Sequence, residues 1–255
     1  MNRLEKKYKN TLLKVLDKGI KRNDRTGVGC KSIFNVSFKW DLKRTFPMFT
    51  GRRIYQKVFD TEFDWFINGE TNIKRFQDNN IKIWDAWADN NGNLGPVYGY
   101  QLRQFNGSNI DQLTNVIDSI NNNPDSRRHI ISLWNPLQTK DMKLPPCYHN
   151  FQFFVEGDKL NLFVLQRSGD MFLGIPYDIA LFSKLLLYVA EKTNKKANKI
   201  NLNIVDAHVY NNQVEAVKEY LATKTYKFPK FSYISEKLII KDYKFDKVIS
   251  CEVAV

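Results

Sequence analysis

Two kinds of site in this chain carry residue types that could do chemistry. The first is Cys147, in Leu144-Pro145-Pro146-Cys147. The prolines stiffen a non-helical approach to an apolar strand. A thiol held there serves as a nucleophile if a positive charge lowers its pKa. It would otherwise be a small buried apolar side chain. The second kind is a set of short arginine-bearing turns: Gln166-Arg167-Ser168-Gly169-Asp170, Asp24-Arg25-Thr26-Gly27 and Asp125-Ser126-Arg127-Arg128. An arginine fork beside a hydroxyl suits a phosphate. Each arginine could equally pair with a carboxylate, and spacing alone does not join the three turns into one site.

The elements that must position these residues follow from hydrophobic period and turn chemistry. Residues 4–16 alternate at helical spacing, and 55–68 form an aromatic amphipathic helix ending near Gly69. Residues 32–40 read as a strand that sets Phe34, Val36, Phe38 and Trp40 on one face. Residues 110–121 are a helix and 129–134 an apolar strand. Residues 151–155 and 160–166 pair as a hairpin around Gly157-Asp158. Residues 171–192 form a long core helix with an irregular entry at Gly174 and Pro176. A solvated Lys-rich stretch over 192–199, a strand over 202–205, a surface helix over 211–221 and a strand-like tail complete the chain. Hairpins without regular βαβ alternation predict an α+β fold. No stretch reads as a linker, so one domain over 1–255 is expected.

Composition bounds the function classes. Apolar residues make up 43% of the chain, enough for a sizeable core. The net charge of +12 favours anionic partners. Three cysteines, Cys30, Cys147 and Cys251, argue against a disulfide framework and for a reducing compartment. The charged first ten residues lack an apolar signal region, and the apolar stretch near 171–190 contains Asp178 and Lys184. A cytoplasmic protein with no membrane partner is therefore expected, in host cytoplasm if the source is a phage.

The order of short motifs resembles the thymidylate synthase family over nearly the whole chain. The matching stretches are Asn23-Asp24-Arg25-Thr26-Gly27, Gly69-Glu70-Thr71-Asn72-Ile73, Ile83-Trp84-Asp85-Ala86-Trp87-Ala88-Asp89 and Leu94-Gly95-Pro96-Val97-Tyr98-Gly99. Pro124-Asp125-Ser126-Arg127-Arg128, Pro145-Pro146-Cys147, the run from Gln166 to Gly174, and Asp206-Ala207-His208-Val209-Tyr210 follow in family order. The apolar tail Val253-Ala254-Val255 closes the match.

The resemblance implies a single domain with a large mixed sheet at a dimer interface. It also implies one-carbon transfer from 5,10-methylenetetrahydrofolate to C5 of a pyrimidine nucleotide monophosphate. Cys147 would add to C6 of the base, with Arg167 touching thiolate and phosphate and lowering the thiol pKa. Arg25 and Ser168 would bind the same phosphate, and Arg127 and Arg128 would reach it from the other subunit of a homodimer. Gln166 joins the substrate set, and His208 and Tyr210 would hold the sugar hydroxyl. Glu62 would manage protons and ordered water, and Tyr98 would stand near C5. Asp170, Trp84, Trp87, Leu173, Gly174, Arg52 and the terminal Val255 would surround the folate. No metal is implied.

Several positions depart from the family pattern. Asp178 stands where a dUMP enzyme carries asparagine. An amide can donate to uracil O4 and accept from N3–H, whereas an ionised carboxylate only accepts, which suits the N4 amino group of cytosine. Tyr148 replaces the usual histidine beside the cysteine. Asp64, preceding Trp65, resembles the acid of phage deoxycytidylate hydroxymethylases, where a second carboxylate near Glu62 could orient water. It could also be a solvent-facing helix residue. Thr50-Gly51-Arg52-Arg53 differs from the Thr-Thr-Lys pattern, with Arg52 expected to keep a charge at the folate tail or phosphate lid. The expectation is a dCMP 5-hydroxymethyltransferase. The alternatives are a thymidylate synthase acting on dUMP, with Asp178 as drift, and a nucleic-acid-binding protein that has lost catalysis. No recognisable nucleic-acid motif supports the last of these.

Overall fold

The computed structural model describes residues 2–254, so the expected role of Val255 lies outside the described residues. The helices are α1 (Arg3–Lys18), α2 (Gln56–Ile67), α3 (Lys74–Asp78), α4 (Tyr98–Arg103), α5 (Gln112–Asn122), α6 (Ile175–Lys192) and α7 (Val214–Ala222). The strands are β1 (Ile20–Arg22), β2 (Cys30–Asp41), β3 (Ile130–Ser132), β4 (Tyr148–Glu156), β5 (Lys159–Asp170), β6 (Lys196–Tyr210), β7 (Lys230–Ile234) and β8 (Lys237–Lys241). Strands β7 and β8 pair by themselves, and the other six form one mixed sheet in the order β1-β2-β6-β5-β4-β3.

All neighbours in that sheet are antiparallel except β5 and β6, which run parallel with Ser168 opposite Asp206 and Asp170 opposite His208. A parallel pair needs a crossover, and α6 supplies it, packing on both strands and on α2. Helix α1 starts where the Asn2 side chain accepts the Glu5 amide at 2.7 Å. Its buried stripe of Leu4, Tyr8, Leu12 and Val15 lies along β2. Tyr8 meets Phe38, and the Trp40 indole donates to Ser183 of α6 at 3.0 Å, so α1 and α6 cover the same face.

Four elements differ from expectation. Phe34 does not share the buried face of Val36, Phe38 and Trp40. It is 82% exposed while Ile33 is buried, because Asn35 takes a left-handed φ of 58° and breaks the alternation. Residues 171–174 form a turn before α6, and this turn proves central to the site. Lys196 and Lys199 are not loop residues: they occupy exposed positions at the start of the long β6, which the expected strand over 202–205 covered only in part. The expected strand over 129–134 shortens to β3, at the sheet edge.

Gly51, the departure in the Thr50 loop, has a packing cause. A side chain there would meet Thr223 Oγ1 at 2.4 Å and the Tyr220 ring at 2.7 Å. The loop is pinned by the buried Glu5 carboxylate, which accepts from the Thr50 and Gly51 amides, the Thr50 hydroxyl and the Tyr220 hydroxyl.

Candidate active site

Ligand sites in sheets of this kind gather where parallel strands end. Strands β5 and β6 end together, carrying Gln166 to Asp170 and His208 to Tyr210. The turn into β4 brings Cys147 beside them, α6 opens with Asp178 in its first turn, α4 opens with Tyr98, and α2 contributes Glu62.

Cys147 is fixed on both sides. Its amide donates to the Tyr98 hydroxyl oxygen at 3.0 Å, and its carbonyl accepts from the Arg167 amide at 2.8 Å. Arg167 Nε donates to Pro146 O at 2.9 Å, and Nη2 to Pro145 O at 2.7 Å. The two prolines thus offer bare carbonyls that clamp the guanidinium, which lies over Trp134 with Nη2 3.9 Å from Sγ. The thiol pKa is raised, not lowered. Burial pushes it up, and the Asp178 carboxylate adds to this, against the opposing pull of Arg167, the Tyr98 hydroxyl and Arg25. Arg167 acts in the expected direction, but desolvation outweighs it in the ligand-free chain.

Two buried carboxyls interact here, and Asp178 also acts on the thiol. Glu62 is pushed up to about 8 by burial and by the charge of Asp178, while the Trp84 indole, 3.3 Å from Oε1, acts against this. Asp178 is pushed up to about 7 by burial, opposed by the Gln166 amide, which donates to Oδ2 at 2.9 Å. That bond fixes the Gln166 amide with its Oε1 buried and unpartnered. The Tyr148 hydroxyl, directly across the β4–β5 register, is likewise buried without a partner. Unpaired buried polar atoms are rare and mark places for a ligand or ordered water.

Both carboxyls bind protons in the folded chain at pH values where the unfolded chain has released them. The sign is therefore opposite to that of a salt-bridged acid: stability falls as pH rises from the ordinary carboxylate range through about 8. Glu62→Gln should flatten this loss, and melting temperatures at about pH 5 and about pH 8.5 test it. An equal fall in both proteins would remove Glu62 as the source.

Of the residues expected to meet a phosphate, Arg25 is exposed on a turn whose Asp24 carboxylate accepts from the Thr26 amide at 2.7 Å, and Ser168 is half-buried. His208 is buried edge-on against Tyr210, ring centroids 4.9 Å apart. Arg127 and Arg128 stand apart. His129 and Ile130 pair with Phe153 and Gln152, so the arginines lie near Phe154, seven residues along β4 from Cys147. At the rise of an extended strand that is roughly 20 Å. One chain does not bring them to the thiol.

The turn at 171–174 forms a further wall. Asp170 Oδ1 accepts from the Phe172 and Leu173 amides, both at 2.9 Å, and Oδ2 from Gln213 at 2.7 Å. Leu173 and Gly174 are half-exposed beside it. Trp84 packs against Trp65, Trp87 and Tyr98, and the buried indole nitrogen of Trp87 has no partner. Arg52 is not an exposed charge. It is buried over the Phe172 ring at 4.7 Å, with Nη2 donating to Phe172 O at 2.6 Å, because the pinned Thr50 loop aims it inward. The exposed cation of this loop is Arg53, stacked on Tyr55 and Phe245. Trp134 and Gln213 were not legible as site residues, since both reach the site from separate elements.

Asp64 is turned away. Lys184 of α6 sits buried between Asp60 at 2.7 Å and Asp64 at 3.7 Å, and the Asp64 side chain is half in solvent. Helical spacing puts Asp60 and Asp64 on one face and Glu62 on another.

A family model described as thymidylate synthase matches residues 6–255. The chain belongs to the thymidylate synthase family. The mixed sheet and its helices are the α+β fold expected of it. Thymidylate synthase family members are folate-dependent transferases that carry a one-carbon unit from methylenetetrahydrofolate to C5 of a pyrimidine nucleotide monophosphate, and they function as dimers. No helix among the described residues is long and apolar enough to cross a membrane.

Proposed function

We propose that this family member acts on dCMP and makes 5-hydroxymethyl-dCMP, as one catalytic domain. The observation that carries the choice of base is Asp178, an acceptor-only side chain when ionised, placed against Gln166 so that a second acceptor, Gln166 Oε1, lies free beside it. A cytosine amino group offers two N–H donors to such an edge, whereas uracil O4 offers none.

The residues present fit a folate: the unpartnered Trp87 indole packed on Trp84, and the Asp170 turn with Leu173 and Gly174 half-exposed, offer a donor and apolar surface to such a group. Asp170, Trp84, Trp87, Leu173 and Gly174 would hold it. The folate supplies the one-carbon unit and, in a methyl-forming reaction, a hydride as well. Arg52 serves from beneath by holding Phe172, not by direct contact. Cys147 adds to C6, which sends electron density to C5. Tyr98, whose hydroxyl borders Cys147 and whose ring packs on Trp84, is placed to help remove the C5 proton. Arg25, Arg167 and Ser168 hold the phosphate, and His208 and Tyr210 the sugar.

With Asp64 paired to Lys184, water for hydroxymethyl formation must be held by Glu62, the Tyr148 hydroxyl and Gln166 Oε1. The last two are buried oxygens without a partner, and ordered water satisfies such groups. Product analysis decides between outcomes. Hydroxymethyl-dCMP should form with tetrahydrofolate released, and accumulation of dihydrofolate would mean a methyl product.

The distance of Arg127 and Arg128 from Cys147 also supports a homodimer with shared sites. The uncovered sheet face carries Phe34, Phe154 (65% exposed) and Val205, an apolar surface that a second copy would bury. Arg127→Ala and Cys147→Ser should each be inactive alone, and an equal mixture under subunit exchange should recover roughly a quarter of wild-type activity overall, from heterodimers with one intact site each. No recovery despite demonstrated exchange would count against the shared site.

A further inference from the structure

We infer that Asp206 is a positioning residue: it takes the Nδ1–H of His208 and thereby presents the ring's Nε2 lone pair to a nucleotide's sugar hydroxyl. Asp206 and His208 stand two residues apart on β6 and so share a face of the strand. His208 Nδ1 lies 3.3 Å from Asp206 Oδ1. The same Oδ1 accepts from the Ser32 hydroxyl at 2.7 Å, and Oδ2 accepts from Arg22 Nη1 at 2.7 Å. Two hydrogen bonds, from β1 and β2, and the His208 nitrogen of β6 at 3.3 Å therefore converge on one carboxylate.

An ionised carboxylate has no proton to give, so a hydrogen between it and the imidazole belongs to Nδ1. In the neutral ring that leaves Nε2 as a bare acceptor. Asp206 stays ionised here: the hydrogen bond from His208 holds its carboxyl below the usual range, aided by Ser32 and Arg22 and opposed by partial burial. The Ser168 hydroxyl lies 3.5 Å from Nδ1, farther than the carboxylate, and it can serve as an acceptor too. Tyr210, edge-on at 4.9 Å, confines the ring from the side. An acceptor at Nε2 selects a donor, and a sugar hydroxyl is one. Arg22 also ties Asp206 to the strand that leads into the Arg25 turn, so one carboxylate braces both the sugar and the phosphate sides. This rests on the assignment of His208 to the sugar.

The chain has only three histidines, so the full-length protein labelled with 15N at histidine gives an assignable spectrum, with His208→Gln identifying the ring. His208 should show a protonated Nδ1 and an unprotonated Nε2 in the wild type and in Asp206→Asn, whose amide oxygen still accepts. Asp206→Ala should release that tautomer. Calorimetric titration with dCMP and dUMP, each against its 2′,3′-dideoxy analogue, reads the consequence. Asp206→Ala should weaken the deoxynucleotide about tenfold and leave the dideoxy analogue unchanged. A proton on Nε2 in the wild type would overturn the inference. So would an Asp206→Ala effect that is equal for both analogues or absent for both. If His208→Gln leaves the deoxy-to-dideoxy ratio unchanged, the sugar assignment itself falls. If it collapses the ratio and Asp206→Ala does not, only the role of Asp206 falls.

Discussion

Cys147→Ser is expected to cut turnover on the order of 10⁴-fold or more, the scale seen when a covalent catalyst is removed, while nucleotide binding persists. The thiol sits on a turn that proline rings, the Tyr98 hydroxyl and the Arg167 amide hold rigid, so a serine should keep its geometry. What it loses is acidity and nucleophilicity. In the free chain burial and Asp178 keep the thiol protonated, against Arg167, Tyr98 and Arg25. Ionisation is therefore tied to filling the pocket: engaging Asp178 with a base edge removes part of the charge that opposes the thiolate. The checks are product formation by chromatography and nucleotide titration by calorimetry. Turnover within tenfold of wild type would take the nucleophile role from Cys147.

Much of this site was legible in the sequence because its parts lie in short, stiff segments. Pro145-Pro146-Cys147 and the Gln166 to Gly174 run each bring several functional groups to one place, whatever the rest of the chain does. The register between β5 and β6, which sets Ser168 opposite Asp206 and Asp170 opposite His208, was not legible, since parallel pairing depends on a crossover helix and not on local pattern. Three side chains take directions that local sequence does not show. Phe34, Arg52 and Asp64 are each set by a partner far away in the chain or by one backbone angle. The left-handed Asn35 turns Phe34 out, the Glu5-pinned loop turns Arg52 in, and the buried Lys184 holds Asp64 to the far face of α2. Asp178 was legible as an anomaly, but its protonation was not, because the burial that raises it is a product of tertiary packing, opposed by the Gln166 bond from a neighbouring strand, and not of local sequence.

Asp178→Asn should move base preference from dCMP towards dUMP, by about 100-fold or more in the ratio of kcat/KM values, since sites built to pair one polar edge reject a mismatched one strongly. Protonation adds a test of mechanism. A neutral carboxyl can donate as well as accept, so it can serve cytosine N3 and N4–H or uracil O4 and N3–H alike. The ionised form can only accept, and it repels O4. Because burial places this carboxyl at about 7, the two forms exchange near neutrality. Discrimination against dUMP should therefore widen as pH rises through about 7, and the widening should vanish in Asp178→Asn, whose amide does not titrate. The same substitution removes a charge that raises the Cys147 pKa, so thiol alkylation by iodoacetamide at neutral pH should quicken in the variant. Gln166 tempers the size of the switch, since its amide donates to Asp178 and would have to share or flip beside an asparagine. Steady-state assays with both nucleotides across pH settle the matter. A wild-type enzyme that prefers dUMP at every pH would defeat the cytosine assignment. A base preference unchanged by Asp178→Asn would take the reading of the base away from this residue altogether.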